Sequence, residues 1–290
     1  MKRQTMLSKT MKRQTIKHET RPFSKSLPIV CACVFLAVAT RIGAAPTPAA
    51  VSAFNIYIDV VESRLAQQHR STAFLAPVDF ARLGRGDIVI EQFAPPKIPD
   101  ALLHHWRGTA FVPGATAAGF DRLLRDFSAY PRLFAPQVLQ ARILAQRGNQ
   151  VQAMMRVRQQ HVLTVVVDTT YDVTFARLDT QPHPNLQQGY SLSRSTQISE
   201  IDSPGTAHER VLTPSEDHGF LWRLNTYWTW EERDGGLSIQ IESVSLTRSI
   251  PRGLAWAIGP FVQSIPRESL QFTLRSAANA LRTSQERKTQ

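Results

Sequence analysis

The chain has 290 residues and a formal net charge of +11, but nine of its 34 lysines and arginines, and only one of its 23 acidic residues, fall in the first 45 positions. The remaining residues carry 25 basic and 22 acidic side chains, no cysteine and no clustered basic stripe. This composition argues against a nucleic-acid-binding protein and against a fold that depends on disulfides.

The first 45 residues have the three parts of a secretory signal peptide. A basic stretch through Lys25 precedes an apolar run over residues 27–39, and small residues ending at Ala45 precede Pro46. We expect cleavage near Ala44 or Ala45 and export to the periplasm or cell envelope. An uncleaved N-terminal anchor is the alternative, because Pro46 directly follows the site.

Residues 46–100 are expected to form an extension before the main domain. Their apolar side chains recur at helical spacing, which predicts one amphipathic helix over residues 54–65. A short strand at residues 88–93 and a proline-rich break at residues 94–100 follow.

From residue 101 the pattern predicts a strand, short helices, a series of strands and a long final helix. The strand candidates are residues 105–112, 138–146, 151–161, 162–178, 189–201, 220–232 and 237–250. Turn signals such as Asp234-Gly-Gly236 join neighbouring strands and imply an antiparallel sheet. Pro266 and the acidic residue after it predict that the last helix starts there and runs to about Thr283.

Two stretches make residues 102–281 resemble the START-like, or SRPBCC, superfamily, which includes polyketide cyclases and coenzyme Q-binding proteins. They are Phe120–Pro131 with Phe134-Ala-Pro136, and Phe220-Leu-Trp222 with Asp234-Gly-Gly236. The resemblance implies an α+β helix-grip fold, in which a curved antiparallel β-sheet grips a long C-terminal α-helix around an apolar pocket. The expected division is signal peptide 1–45, N-terminal helical extension 46–100, START-like domain 101–285 and disordered tail 286–290.

The candidate ligand-binding residues include three tryptophans and one tyrosine. Alternation along the strand that begins at Phe220 places Trp222, Trp228 and Trp230 on one face. They can line a ligand site, or they can pack against the final helix as core. Alternation in the strand before residue 178 turns Tyr171 to the same interior, where its hydroxyl can meet a polar head group or a backbone group.

Glu242 and Arg248 complete the candidate site. They share one face of the last strand with apolar side chains, which is an unusual position for charges unless they are paired. One interpretation is a structural ion pair with Arg194 or Glu200 as partner. The other is that they hold a polar group of a ligand.

The sequence lacks motifs for metal, flavin or nucleophilic chemistry. The histidines after the leader show no metal-ligand spacing, and His104 and His105 would point to opposite faces of a strand. No Gly-x-Ser-x-Gly elbow, dinucleotide fingerprint or phosphate loop is present. We therefore name no catalytic residue, no metal and no cofactor.

These observations predict an exported protein that binds or carries a hydrophobic small molecule, such as a lipid, quinone or polyketide. One alternative is an envelope interaction module with a collapsed cavity, whose helix at residues 54–65 docks a partner or a membrane surface. The other is a cyclase-like or hydratase-like enzyme that uses Glu242 and Arg248. Neither the ligand nor the oligomeric state follows from the sequence.

Overall fold

One antiparallel sheet of nine strands organises the protein. The computed structural model describes residues 45–84, 86–160, 164–178, 187–250 and 255–289, so the predicted signal peptide lies outside the described residues. The strands are β1 Val89–Gln92, β2 Ala101–Pro113, β3 Val138–Arg147, β4 Gln150–Gln160, β5 Thr164–Leu178, β6 Gln188–Asp202, β7 Arg210–Val211, β8 Arg223–Arg233 and β9 Gly236–Arg248. Every predicted strand is present, with bounds that differ by a few residues.

The strand order is β1-β2-β9-β8-β6-β5-β4-β3, with the short β7 paired to β6. β3, β4, β5 and β6 pair in succession, and β8 pairs with β9. Tight turns join β3 to β4 and β8 to β9 and return the chain beside itself. The pairing of β2 with β9 is different, since it joins the two ends of the predicted domain. β1 extends the sheet by pairing with β2.

Among the described residues, five helices accompany the sheet: α1 Pro48–Gln68, α2 Phe80–Gly84, α3 Ala117–Arg125, α4 Tyr130–Leu133 and α5 Ala255–Thr289, with a 3-10 turn at Phe127–Ala129. α1 begins before the predicted helix of residues 54–65 because Thr47 and Pro48 provide a helix start signal. The side chain of Thr47 accepts a hydrogen bond from the backbone of Ala50 at 3.1 Å, and Pro48 occupies the first turn.

The last helix differs from its predicted start. α5 begins at Ala255 and continues through Pro266 to Thr289, into the segment predicted as a tail. A proline inside a helix removes one backbone hydrogen bond, which weakens the helix locally without preventing helical structure on both sides. The expectation that Pro266 begins the helix was therefore wrong.

The sheet is covered on two faces by different helices. The inner face, defined here as the face that contacts α5, forms one core with α3 and α5. The outer face, which contacts α1, forms a second core. The α1 residues in that second core are Ala50, Phe54, Ile58, Val61 and Leu65, which include the predicted apolar stripe.

α5 lies close to the sheet at Gly108 in β2. A Cβ atom at this position would lie 2.8 Å from Leu270 and 3.0 Å from Leu274, so the glycine is what allows this contact. From Leu270 to Leu281 the inward stripe of α5 is fully buried, as its spacing predicts. The α+β helix-grip architecture is therefore confirmed, with α1 as the N-terminal helical extension.

Candidate functional site

Trp228 and Trp230 lie on the inner face of β8, within the inner core. The ring of Phe120 in α3 meets both indoles edge-on, at centroid distances of 5.2 and 5.3 Å. Trp230 also covers Gly189, where a Cβ atom would come within 2.4 Å of the indole. Contacts this close leave no space beside Trp230, so the two tryptophans form the tightly packed end of the inner face.

Tyr171 is buried in the same core, on the inner face of β5. Burial raises the pKa of its hydroxyl to about 12, although a hydrogen bond with Thr169 acts in the opposite direction. The phenol is therefore neutral at physiological pH. It can contact a ligand only as a hydrogen-bond donor or acceptor.

The middle of the inner face is less tightly covered. Cross-strand pairing places Trp106, Ser243, Thr226 and Ser193 in one row across β2, β9, β8 and β6, and we call these four residues the polar row. Its three hydroxyl residues are only half-buried, although their strands lie in the interior of the sheet. The neighbouring row, which contains Trp228, is buried throughout. The polar row is therefore less completely covered than the row beside it.

A third row of cross-strand neighbours contains His104, Ser245 and Leu224. It lies on the side of the polar row opposite to Trp228. The Nε2 atom of His104 lies 3.3 Å from the Thr247 hydroxyl. Burial lowers the pKa of His104 to about 4, so the imidazole is neutral at physiological pH. Leu224 is half-buried, which extends the incompletely covered area into this row.

Trp222 does not share a face with Trp228 and Trp230, so this part of the prediction was wrong. β8 begins at Arg223, one residue after Trp222, and strand alternation holds only within a strand. Trp222 packs instead in the outer core, with Tyr227 among its neighbours.

Glu242 also lies on the outer face, beneath α1. Its carboxylate pairs with Arg64 of α1 and is 2.7 Å from Nε2 of His105. The Tyr57 hydroxyl is 2.7 Å from the other ring nitrogen of His105. Because an ionised carboxylate only accepts hydrogen bonds, Nε2 of His105 donates to Glu242. This chain of contacts joins α1 to the sheet.

The partners that the sequence suggested for this ion pair bind elsewhere. Arg194 pairs with Glu62 of α1, and Glu200 accepts hydrogen bonds from the loop before β8. Arg248 lies at the end of β9, where its backbone N–H donates to the carbonyl of Gly219 at 2.8 Å. Glu242 and Arg248 therefore do not form one constellation under α5.

Competing effects determine the ionisation of Glu242. Burial by itself raises the pKa of this carboxyl group. The hydrogen bond from His105, together with the charges of His105, Arg64 and Arg107, outweighs burial and lowers the pKa below its usual value. Glu242 is therefore ionised in the folded protein at neutral pH and forms an ion pair with Arg64.

Two carboxyl groups lie close together where the loop before β8 meets β6, Asp217 in the loop and Glu200 in the strand. Glu200 accepts hydrogen bonds from the backbone N–H groups of His218 and Phe220 and from the His218 ring. Asp217 accepts one from Gly219 at 2.6 Å. Burial, and then the charge of Glu200, raises the pKa of Asp217 to about 7. A protonated Asp217 can donate to Glu200, which holds the loop against the end of β6.

Two further properties of the described residues concern possible metal or membrane sites. Among them, no group of three or more His, Asp or Glu side chains is arranged to hold a metal ion. None of the described helices is both long enough and apolar enough to cross a bilayer.

Known structures with a similar arrangement include START-type proteins. A START superfamily protein from Mycobacterium smegmatis is 15% identical, with a TM-score of 0.39, over 62% of this chain and 97% of its own. The Zhui aromatase/cyclase from a Streptomyces species is 12% identical, with a TM-score of 0.40, over 65% and 97%. Human STARD10 is 11% identical, with a TM-score of 0.42, over 73% and 84%.

No protein-family model and no curated protein matches this sequence. At such low TM-scores the structural similarities carry no argument about ligand or activity. The START-like architecture rests on the strand order and on the position of α5 over the inner face.

Sequence reasoning missed the polar row and the contacts of Glu242. Alternation in β2 could have placed Trp106 on the same face as Gly108, because the two residues are two positions apart. The contact of Trp106 with Ser243 depends on the β2–β9 register, which joins distant parts of the chain. His104 and His105 do occupy opposite faces, as the sequence predicts.

The Glu242→Gln variant is expected to lower the free energy of unfolding by about 2 kcal/mol at neutral pH, because it leaves Arg64 and His105 without an anionic partner. Folding lowers the pKa of Glu242, so its contribution is present above the ordinary carboxyl value of 4.5 and is lost as pH falls through the folded-state value. Urea unfolding across this pH range should show the difference from wild type shrinking in acid. Glu91→Gln, which breaks the more exposed pair with Arg107, is the control. An equal effect there would contradict the prediction.

The Asp217→Asn variant is expected to be more stable than wild type at about pH 8, by on the order of 1 kcal/mol. Folding raises the pKa of Asp217 from 3.8 to about 7, so wild type loses stability as pH rises between these values, whereas asparagine keeps the hydrogen bonds and does not ionise. Thermal unfolding at several pH values measures the difference, which should disappear near pH 4. Asp202→Asn, in the exposed pair with Arg210, should show no such trend. A constant difference at all pH values is the contrary result.

Proposed function

We propose that the protein binds a hydrophobic small molecule between the inner face of the sheet and the first half of α5, and that it acts as a carrier. The observation that supports this most directly is the half-buried polar row in the interior of the sheet. A folded protein normally fills such a position with its own side chains. A space beside a large apolar core is the usual form of a small-molecule site.

The covering of the inner face changes along α5. From Leu270 to Leu281 the inward side chains of the helix are buried, whereas residues 264–269 are half-buried or exposed. Phe272 is also half-buried at the boundary between the two parts. An apolar ligand at the looser part would gain about 25 cal/mol for each Å² of apolar surface removed from water. This gain supports binding without a charged anchor.

Binding without catalysis is the better supported form of the proposal. The enzyme alternative depends on Glu242 and Arg248 near the ligand, and these residues lie on the outer face and at the end of β9. The interaction-module alternative requires a collapsed inner face, and the half-buried polar row favours an open one. Export through the N-terminal signal would place the carrier in the cell envelope.

Uptake of the neutral fluorescent probe diphenylhexatriene tests the binding proposal. Wild type should bind the probe, and Thr226→Leu and Ser193→Leu should each weaken binding by about tenfold because the added carbons fill the space. Thr196→Leu changes an exposed position of β6 and should bind as wild type does. Native mass spectrometry of protein from its own cell envelope should also show a bound lipid or quinone. Protein that carries no ligand and takes up no probe would refute the proposal.

N-terminal sequencing of the protein from its natural host tests the export proposal. Cleavage near Ala44 or Ala45 should yield a mature chain that starts near Pro46 and is recovered from the envelope fraction. A chain that starts at Met1 or Met11 in the membrane fraction indicates an uncleaved anchor instead. The same start in the cytosol contradicts export altogether.

A further inference from the structure

The polar row contains a buried hydrogen-bond donor with no partner among the described residues. The indole N–H of Trp106 is shielded from water and has no acceptor among the described residues. A buried donor without a partner loses its hydration and gains nothing in return, which destabilises the folded state. Such a group in a native structure calls for an explanation.

The position of Trp106 suggests the explanation. It is part of the inner core with α5, and its cross-strand partner Ser243 is half-buried beside the incompletely covered space. The hydroxyl groups of Thr226 and Ser193 continue the row across β8 and β6. The incompletely covered area is therefore apolar beside Trp228 and offers several hydrogen-bond donors along the polar row.

On the described strands, the polar row and the two rows beside it carry no charge at neutral pH. The row itself has only hydroxyl and indole groups, and the neighbouring rows add Ser245, Leu224 and Trp228 with a histidine that burial keeps neutral. An ionised ligand group would lose its hydration there without meeting an opposite charge on these strands. Desolvation of an unpaired ion is far more costly than desolvation of a neutral polar group.

We propose that the ligand carries a neutral hydrogen-bond-accepting oxygen, as in a carbonyl or hydroxyl group, which accepts the indole N–H of Trp106 beside the hydroxyls of Ser243 and Thr226. The inference rests on the proposed function and specifies its ligand as an uncharged amphiphile. The apolar part of that molecule lies toward Trp228 and the buried part of α5. Because the indole N–H is closed to water in the free protein, half-buried neighbours such as Leu224 must shift to admit the oxygen.

Three probes of matched chain length separate the effect of a hydrogen bond from the effects of apolar burial and of charge. They are methyl undecyl ketone, tridecane and tridecanoate. Wild type should bind the ketone about fivefold more tightly than the alkane, because one hydrogen bond is gained, and should bind the ionised carboxylate more weakly than the ketone. The indole N–H resonance of Trp106, assigned by NMR in the wild-type protein, should move downfield with the ketone but not with the alkane. This measurement requires no variant.

Trp106→Phe should weaken ketone binding more than alkane binding, so that most of the fivefold preference for the ketone is lost. Trp222→Phe is the matched control, because Trp222 also has a buried indole N–H without an acceptor among the described residues but belongs to the outer core. If ketone and alkane both bind while the Trp106 resonance stays in place, the inference is wrong and the carrier proposal stands. Tighter binding of the carboxylate than the ketone also overturns it. If none of the probes binds, the carrier proposal itself fails.

Discussion

The central strands β2, β8 and β9 bury side chains on both of their faces, and this constraint shapes the rest of the structure. A sheet that is apolar on both faces needs a covering element on each side. α5 covers the inner face, where Gly108 allows close contact, and α1 covers the outer face with its apolar stripe. The residues before the predicted START-like domain therefore contribute directly to the core of the fold.

Both covering helices bury an apolar stripe against the sheet and add polar contacts. α5 contributes a stripe of leucines and alanines, and Ser269 of α5 is 3.1 Å from the side chain of Gln159 in β4. α1 adds a series of polar contacts to its apolar stripe, through Tyr57, Glu62 and Arg64. A buried ion pair adds little net stability, because removing both charges from water offsets most of their attraction. We infer that these contacts mainly define the position of α1 along the sheet.

The inner face combines tight packing with incomplete covering. Phe120, Trp228 and Trp230 pack so closely that a Cβ atom has no room at Gly189. The polar row next to them is half-buried, although it crosses the interior of the sheet. Closely packed aromatic rings beside the polar row suit the binding of an amphiphile in one orientation. Burial of the apolar part of the ligand supplies affinity, and a few polar groups set its direction. The carrier proposal and the prediction of a neutral acceptor group both depend on this arrangement.

Periodicity along the chain was sufficient to identify nearly all strands, both long helices and the inward positions of Tyr171, Trp228 and Trp230, because alternation and helical spacing are local properties. The helix-grip class followed from the resemblance of residues 102–281 to the START-like superfamily. It misplaced Trp222, since a strand boundary one residue away decides which face a side chain takes. Only the tertiary structure decided that Glu242 meets Arg64, 178 residues away, and that Trp106 lies opposite Ser243. Pairings of this kind depend on the register of distant strands and on the docking of α1, and no local pattern encodes either.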